Sequence, residues 1–541
     1  MIMRDLILKY TLQNAVRYNG KANIGAVIGK VFSEIKVDDK KKLSIEVKKI
    51  VDEVNKLSFE EQKKQLEKLA PELLEKKTEE RGLFDSFDIK GKVITAFPPE
   101  PSKYSHIGHI KSLMLNYELA KQNKGKFIFR FEDTNPNLVK KDFYKVYLDD
   151  LKWLEIKPDR ITYASDNMKK FYSLAERLIK ENKAYVCKHS LELIRKYRAE
   201  GKPCDDRENN PDENMKLWKE MFKGKKYVLR LRIDLKHQNS TMRDPIIFRI
   251  INEKHPRIKK HIVWPTYDFE NSVMDSLEGV THRIRSKEFE LRNELHRFIQ
   301  KTLGFNETKI YEVARFNLKG VPSSGRIIRE MIQKKELMGW DDPSLTTIAA
   351  LKRRGFTPDA IKNFVLSTGM SKAESELEWS ELIVHNKRLL DRGAKRYFFI
   401  KNPIKMNIKN ATNQEVKVQF HPDNEKLGSR KFKVGNEFYV MDNIEKNKYY
   451  RLMHLFNFKN NEFVSKELDQ KLDAKLIHWL PVSKDLVEVE ILMPDKNIVK
   501  GLAEKDSKKI KIGEVVQFLR FGFVRLDSKK KKKLIFWYSH N

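Results

Sequence analysis

Apolar positions recur at near-helical spacing through the first ninety residues. Leu57, Leu66, Leu69, Leu73 and Leu74 punctuate a Glu- and Lys-rich stretch around Ser58–Lys76 and predict a helix there. Asn19-Gly20 and the small residues of Asn23–Gly29 mark a turn before another helix. Residues 1–88 are therefore expected to form a helical domain, either an RNA- or partner-docking module or an inert cap. At Lys92 the pattern changes. Val93–Phe97 is a short apolar run that predicts a buried strand, and Pro98-Pro99-Glu100-Pro101 then forces an irregular loop. Ile107–Lys121 has helical periodicity, and Lys126–Phe131 predicts a second strand, ended by Asp133-Thr134-Asn135-Pro136. Strand, loop, helix, strand opens a parallel α/β domain.

Further along, residues 185–260 are strongly basic and irregular, with strand-like Tyr227–Ile233 and Ile246–Ile251. They read as an insertion between two halves of the α/β domain. Residues 345–395 read as helices. From Arg396 the alternating runs and turns predict small β-barrels, for example at Lys417–Phe420, Glu437–Met441 and Val515–Val524. Four regions follow: 1–88 helical; 89–312 α/β with the insertion at about 185–260; 313–395 helical; and 396–541 β-barrel.

Composition narrows the class. The 541 residues suggest several domains, and the 40% hydrophobic and 34% charged content suits a soluble chain with sizeable cores. No apolar run reaches the roughly 18 residues of a membrane helix. Met1–Leu12 carries Arg4, Asp5 and Lys9, unlike a secretory signal. With Cys187 and Cys204 the only cysteines, no disulfide framework is expected, and a reducing cytoplasm fits. The formal net charge of +33 creates a field that attracts polyanions, although charge alone names no partner. Five lysines at 529–533 form either solvated surface or a phosphate-facing barrel rim.

The chemistry concentrates in Phe97-Pro98-Pro99-Glu100-Pro101-Ser102-Lys103-Tyr104-Ser105-His106-Ile107-Gly108-His109, between a predicted strand and a predicted helix. A helix start presents free N–H groups to phosphate. Gly108 lets a flat ring or phosphate approach the backbone. His106 and His109 can donate to a phosphate whose charge grows in the transition state, an effect commonly worth about 10²–10³ in rate. Arg130-Phe131-Glu132-Asp133-Thr134-Asn135-Pro136 follows at the next strand end.

These residues resemble the class I aminoacyl-tRNA synthetases. His106–His109 looks like their first signature, and Phe97–His109 with Arg130–Pro136 resembles the glutamyl/glutaminyl subclass. Pro265–Phe269, Leu277–His282, Gly339–Pro343 and Thr346–Gly355 match in family order. Arg396-Tyr397-Phe398-Phe399 and Arg451–Asn457 resemble the anticodon-binding barrels of the archaeal/eukaryotic branch, and Tyr10–Gly29 its helical N-terminal region. The resemblance thus spans nearly the whole chain. It implies a Rossmann-type catalytic domain with an inserted acceptor-binding domain. It also implies ATP with Mg2+, L-glutamate and tRNA-Glu as reactants, an aminoacyl adenylate, and a monomer. Whether tRNA-Gln is also charged stays open.

Residue by residue, the resemblance assigns ATP to Pro98, His106, Gly108, His109, Ser323, Ser324, Gly325 and Arg326. His106, His109 and Arg326 would be catalytic. The ammonium of the amino acid needs a carboxylate, for which Glu132 and Asp133 are candidates. Tyr267 and Asn271, four apart, suit one helical face or one pocket. Arg285 matches the arginine of the glutamyl enzymes, where the glutaminyl ones carry a smaller uncharged residue; it would pair with the substrate carboxylate. Asn271 also fits the glutamyl pattern better.

Two departures stand out. The family has an arginine before Phe-Pro-Pro, and this chain has Ala96, leaving Arg285, or a substitute such as Lys103, to hold the carboxylate. The pyrophosphate loop, lysine-containing in the family, reads Val321-Pro322-Ser323-Ser324-Gly325-Arg326 here, with Arg326 the first candidate cation and Arg329 the second. Cys187, His189, Cys204 and Asp206 resemble a paired-cysteine site with two of its four cysteines replaced, and could hold zinc. Arg353 and Arg354 are expected to meet the tRNA backbone. The alternatives are a glutaminyl-tRNA synthetase, or a tRNA-binding scaffold that has lost amino-acid activation.

Overall fold

The computed structural model describes the chain apart from residues 1, 19, 35–39, 71–72, 74–81, 260, 375–376 and 532. It divides into two compact units, Met1–Phe87 and Asp88–Asn541. The first is helical, with α1 (Ile2–Arg17), α2 (Ile24–Glu34), α3 (Lys40–Val54) and α4 (Phe59–Leu69) closing over Ile7, Leu12, Val27, Val47 and Leu66. A capping box sets the start of α4: the Ser58 hydroxyl accepts from Glu61 N while the Glu61 carboxylate accepts from Ser58 N. The expected helix ends at Leu69; Leu73 lies in a 3-10 turn, and Leu74 lies outside the described residues.

The second unit opens with β1 (Ile94–Phe97), α5 (Ile107–Gln122), β2 (Lys126–Phe131), α6 (Lys141–Trp153), β3 (Arg160–Tyr163) and α7 (Met168–Lys180). An excursion follows: β4 (Ala184–Cys187), α8 (Leu191–Glu200), α9 (Pro211–Met221), β5 (Val228–Leu231), β6 (Ile246–Ile250) and β7 (Val263–Pro265). These four strands form an antiparallel sheet in sequence order. The chain then returns through α10 (Tyr267–Glu278), β8 (His282–Ser286), α11 (Glu290–Thr302) and β9 (Lys309–Val313). The main sheet has the order β3-β2-β1-β8-β9 with every pairing parallel, a doubly wound sheet whose chain order reverses between β1 and β8.

Its two faces differ. Phe97, Phe127, Phe129 and Phe131 share a core with Ile110, Leu113 and Met114 of α5. On the opposite face, where Ala96 and Ile128 lie, Arg130 projects toward the acidic residues of α10. The excursion is more regular than expected, because Val186, Trp218, Leu229, Ile247 and Phe248 build it a core continuous with Phe269 and Val273 of α10. Its two helices escape sequence reading because α8 and α9 are mostly polar; Ser190 and Asn210 cap them.

After β9 come α12 (Gly325–Gln333), α13 (Ile348–Arg354), α14 (Pro358–Ser367) and α15 (Trp379–Leu390). The C-terminal region is β-structure throughout, with a seven-stranded sheet ending in the hairpin Gly522–Lys530 and Lys533–His540. It docks on α13. Arg354 is buried there and donates to the carbonyls of Pro343, Tyr538 and Ser539. Arg353 forks onto Asp527 at 2.8 and 2.9 Å and lies 4.0 Å above the Trp537 ring. Both arginines therefore hold domains together, which corrects the expectation of a tRNA-facing pair: their fixed, planar donors suit internal carboxylates and carbonyls.

Candidate active site

The loop from Pro98 to Ser105 crosses the carboxyl ends of β1 and β2, where ligands of doubly wound sheets bind. Glu132 N donates to the Pro99 carbonyl, and Ile107 N and Ile348 N exchange bonds with Thr346 and Ser105, tying the loop to the start of α13. Tyr104 stacks on Trp340 at 5.4 Å, and the Ser105 hydroxyl donates to Asp150. His106 is the N-cap of α5. Its Nδ1 accepts from Gly108 N at 3.1 Å, and His109 Nδ1 accepts from His106 N at 3.2 Å. With both Nδ1 atoms accepting, the proton of each ring is assigned to Nε2, leaving two N–H donors side by side with ring centres 3.9 Å apart. Burial, with Lys103 and Arg315 nearby, lowers the His106 pKa to about 3. Burial and the neighbouring His106 hold His109 far below the imidazole range. The pair therefore donates as neutral imidazoles. Gly108 has a packing reason not foreseen from sequence: a Cβ there would come within 2.7 Å of the Phe316 carbonyl.

The loop from Val321 to Ser324 leads into α12, and a Cβ on Gly325 would strike Lys103 at 2.7 Å, so the two loops are in close contact. Arg329 donates to the Ser102 carbonyl at 3.0 Å, while Arg315 donates to Ser323 Oγ. Arg326 points into solvent, 81% exposed, with Glu330 as a distant partner. Lys103 thus belongs to this cationic corner; burial lowers its pKa. Ala96 is buried against Ile128 and Val280 elsewhere on the sheet.

The amino-acid pocket lies on the polar face. Asp133 is consumed internally, accepting from Ser165 N, Ser165 Oγ and Tyr144 Oη, each at 2.8 Å. Glu132 is different: among the described residues its Oε1 accepts no hydrogen bond, and burial raises its pKa to about 8 against the pull of Arg283 and Arg130. Tyr267 and Asn271 share a face of α10; Asn271 accepts from Arg283 and its Nδ2 is unpartnered among the described residues. Tyr267 packs on Phe289, and burial pushes its hydroxyl up to about 12. Arg285 is 5% exposed, with its guanidinium 5.0 Å from the Phe289 ring centre. Among the described residues it donates only to the Phe289 carbonyl, at 3.3 Å, with no carboxylate opposite and Nε unpaired.

Sequence reading missed the ion cluster beneath. Arg130 bonds Asp275 and Glu278 at 2.7 Å each, and Arg283 bonds Asp275 at 2.8 Å, all buried. Thr95 pairs with His282, which sets Arg283 beside Ala96 across β1 and β8. The signal was present: Arg283 and Arg285 are two apart in a strand, and Asn271, Asp275 and Glu278 repeat at helical spacing.

In the inserted region Cys187 Sγ and Cys204 Sγ lie 3.9 Å apart, and with an Asp206 oxygen they fall within 4.8 Å of one another. His189 Nε2 lies 3.5 Å from Asp206 and has no hydrogen-bond partner among the described residues. Three of the four predicted ligands, Cys187, Cys204 and Asp206, are thus brought together, whereas His189 reaches only Asp206, and Asp206 also accepts from Lys188 N and pairs with Lys188 Nζ at 3.1 Å.

A doubly wound sheet carries the two imidazoles at a capped helix start and is joined to C-terminal β-domains, and the family comparison gives the class of this architecture. The description "tRNA synthetases class I (E and Q), catalytic domain" matches residues 92–392, and the anti-codon binding domains of the same family match 394–477 and 476–527. The chain belongs to this family and is an aminoacyl-tRNA ligase that uses ATP. Among its relatives, the glutamate–tRNA ligase of Methanocaldococcus jannaschii is 37% identical, over 99% of this chain and all of that protein. The one from Pyrococcus furiosus is 39% identical over the full length of both. A solved glutamate–tRNA ligase from Elizabethkingia meningosepticum aligns at 18% identity and TM-score 0.43, covering 56% of this chain and 70% of that one. Among the described residues, no helix is long and apolar enough to cross a membrane.

Proposed function

We propose that this chain ligates L-glutamate to tRNA-Glu through a glutamyl adenylate. The observation that carries the choice of substrate is Arg285, a buried guanidinium with no internal carboxylate. Burying such a charge is costly unless it is paired, and the side-chain carboxylate of glutamate supplies the partner. Glutamine would leave the charge uncompensated. Tyr267 and Asn271 flank the same pocket, and Glu132 offers an oxygen to the substrate ammonium.

In the first step an oxygen of the α-carboxylate attacks the α-phosphorus of ATP, and the bond to pyrophosphate breaks. Pro98 and Gly108 line the nucleotide, while His106 and His109 donate through Nε2–H to the phosphate oxygens as their charge grows. Ser323, Ser324 and Gly325 contribute donors to the leaving pyrophosphate, and Arg326, exposed at the start of α12, swings in beside Arg329 and Lys103. Magnesium accompanies the nucleotide. In the second step a terminal ribose hydroxyl of tRNA attacks the adenylate carbonyl carbon and AMP departs. Positioning and electrostatics supply most of the acceleration.

The inserted sheet meets the acceptor end, and the C-terminal barrels receive the anticodon, stacking aromatic side chains on splayed bases. Cys187, Cys204, Asp206 and His189 offer the mixed donor set of a structural zinc site. Metal content of the purified protein tests this, with zinc lost in Cys204→Ala. The protein is read as a cytoplasmic monomer.

The experiment is charging of total tRNA with labelled glutamate and labelled glutamine, with and without ATP. ATP-dependent charging with glutamate alone supports the proposal. Charging with glutamine alone overturns the role of Arg285, and charging with neither overturns the activity. Separate transcripts of tRNA-Glu and tRNA-Gln show whether one or both are acceptors.

A further inference from the structure

Glu270 lies on α10 between Tyr267 and Asn271 and is completely buried. Among the described residues neither of its carboxylate oxygens accepts a hydrogen bond. An orphaned buried carboxylate is costly, so a partner of opposite polarity is missing. The nearby cations make their short contacts elsewhere, Arg130 with Asp275 and Glu278 and Arg283 with Asp275 and Asn271, although Arg130 Nε is unpaired among the described residues. Glu132, whose Oε1 accepts no hydrogen bond among the described residues but lies 3.8 and 3.9 Å from Arg283 and Arg130, is the charge that acts most strongly on Glu270, followed by Arg130, Asp133 and Arg283. Two buried, under-bonded carboxylates are therefore electrostatic neighbours beside Tyr267 and Asn271, and the group that suits both is a small cation with several N–H donors.

We propose that Glu270 is a second carboxylate of the amino-acid subsite, which grips the α-ammonium of the substrate together with Glu132. This rests on the reading of the pocket as a glutamate site and adds a residue to it. An ammonium has three N–H donors, so it can serve Glu132 and Glu270 at once, while Arg285 takes the side-chain carboxylate at the other end. The two-point grip then selects an amino acid over a dicarboxylate of the same length. Burial raises the pKa of Glu270 well above the carboxylate range, and Glu132 adds to the rise, so a cation placed between the two carboxylates would oppose that shift.

The test is calorimetric titration of the full chain, with tRNA present, by glutamate and by glutarate, which lacks the ammonium. The wild type should bind glutamate more tightly, and Glu270→Gln should weaken glutamate about tenfold while leaving glutarate unchanged. Glu270→Ala should do the same, and because no internal bond is removed, melting of both variants should stay at or above wild type. An unchanged glutamate-to-glutarate ratio in the variants overturns the role of Glu270 while leaving the glutamate site standing. Failure of the wild type to bind glutamate instead overturns the reading of the pocket, and the inference with it.

Discussion

Arg130 Nη2 and Asp275 Oδ1 meet at 2.7 Å with both side chains wholly excluded from solvent. Asp275 also faces Arg283 and His296, so one carboxylate offsets two buried guanidinium groups. These charges hold its pKa well below the usual range in spite of burial. Asp275→Asn should therefore leave both arginines under-compensated and cost about 3–5 kcal/mol of unfolding free energy, measured by urea denaturation. A change below about 1 kcal/mol would mean that the cluster is not a stabilising unit.

Acid and base stability should be asymmetric. Burial raises Glu132 to about 8, and Asp150 and Glu504 to about 7 each. A carboxyl with a raised folded-state pKa binds more protons folded than unfolded, so stability falls as pH rises from its unfolded value toward the folded one. The contribution of these three carboxyls to the unfolding free energy should decline between pH 5 and pH 8, against the opposite trend of the buried histidines, whose lowered pKa values make stability rise toward about pH 6.5. Asp150→Asn should flatten part of that decline, measured by denaturation across the pH series.

The histidine pair should behave as fixed donors rather than as titrating groups. With His106 held near 3 and His109 also low, the activation rate should show no break around pH 6.5 that a free imidazole would give. Replacing either with Ala should slow adenylate formation about 10²-fold or more, with tRNA affinity unchanged in a filter-binding assay. Equal loss of binding and activation would indicate a collapsed loop instead.

How legible all this is in sequence depends on how local each feature is. The His106–His109 turn, strands β1 and β2 and helix α5 are specified within a few residues of their own motifs, and they stand where the pattern predicts. The acidic face of α10 is legible only as a spacing. Its meaning comes from Arg130 and Arg283, strand residues 145 and 8 positions away from Asp275 that meet it only after the sheet closes. Glu270 is silent in sequence, since a Glu on a polar-looking helix reads as solvated surface. Its burial follows from α10 packing on both sheets. Arg353 and Arg354 mislead for the opposite reason: adjacent arginines suggest phosphate, yet Asp527 and the final strand lie above them.

The positive charge should appear in the binding of tRNA. With a formal net charge of +33, affinity for tRNA should fall log-linearly with salt as counterion release is lost. A flat response between 50 and 200 mM would separate the charge from RNA binding.

The most direct measurement is the ratio of kcat/KM for glutamate to that for glutamine, in charging of tRNA-Glu, by the wild type and by Arg285→Gln. The buried, carboxylate-free guanidinium predicts strong preference for glutamate in the wild type. In the variant it predicts a loss of about 10²-fold or more on glutamate, with the preference collapsing. A variant that keeps the wild-type ratio would contradict the account, because the carboxylate would then be recognised somewhere other than Arg285.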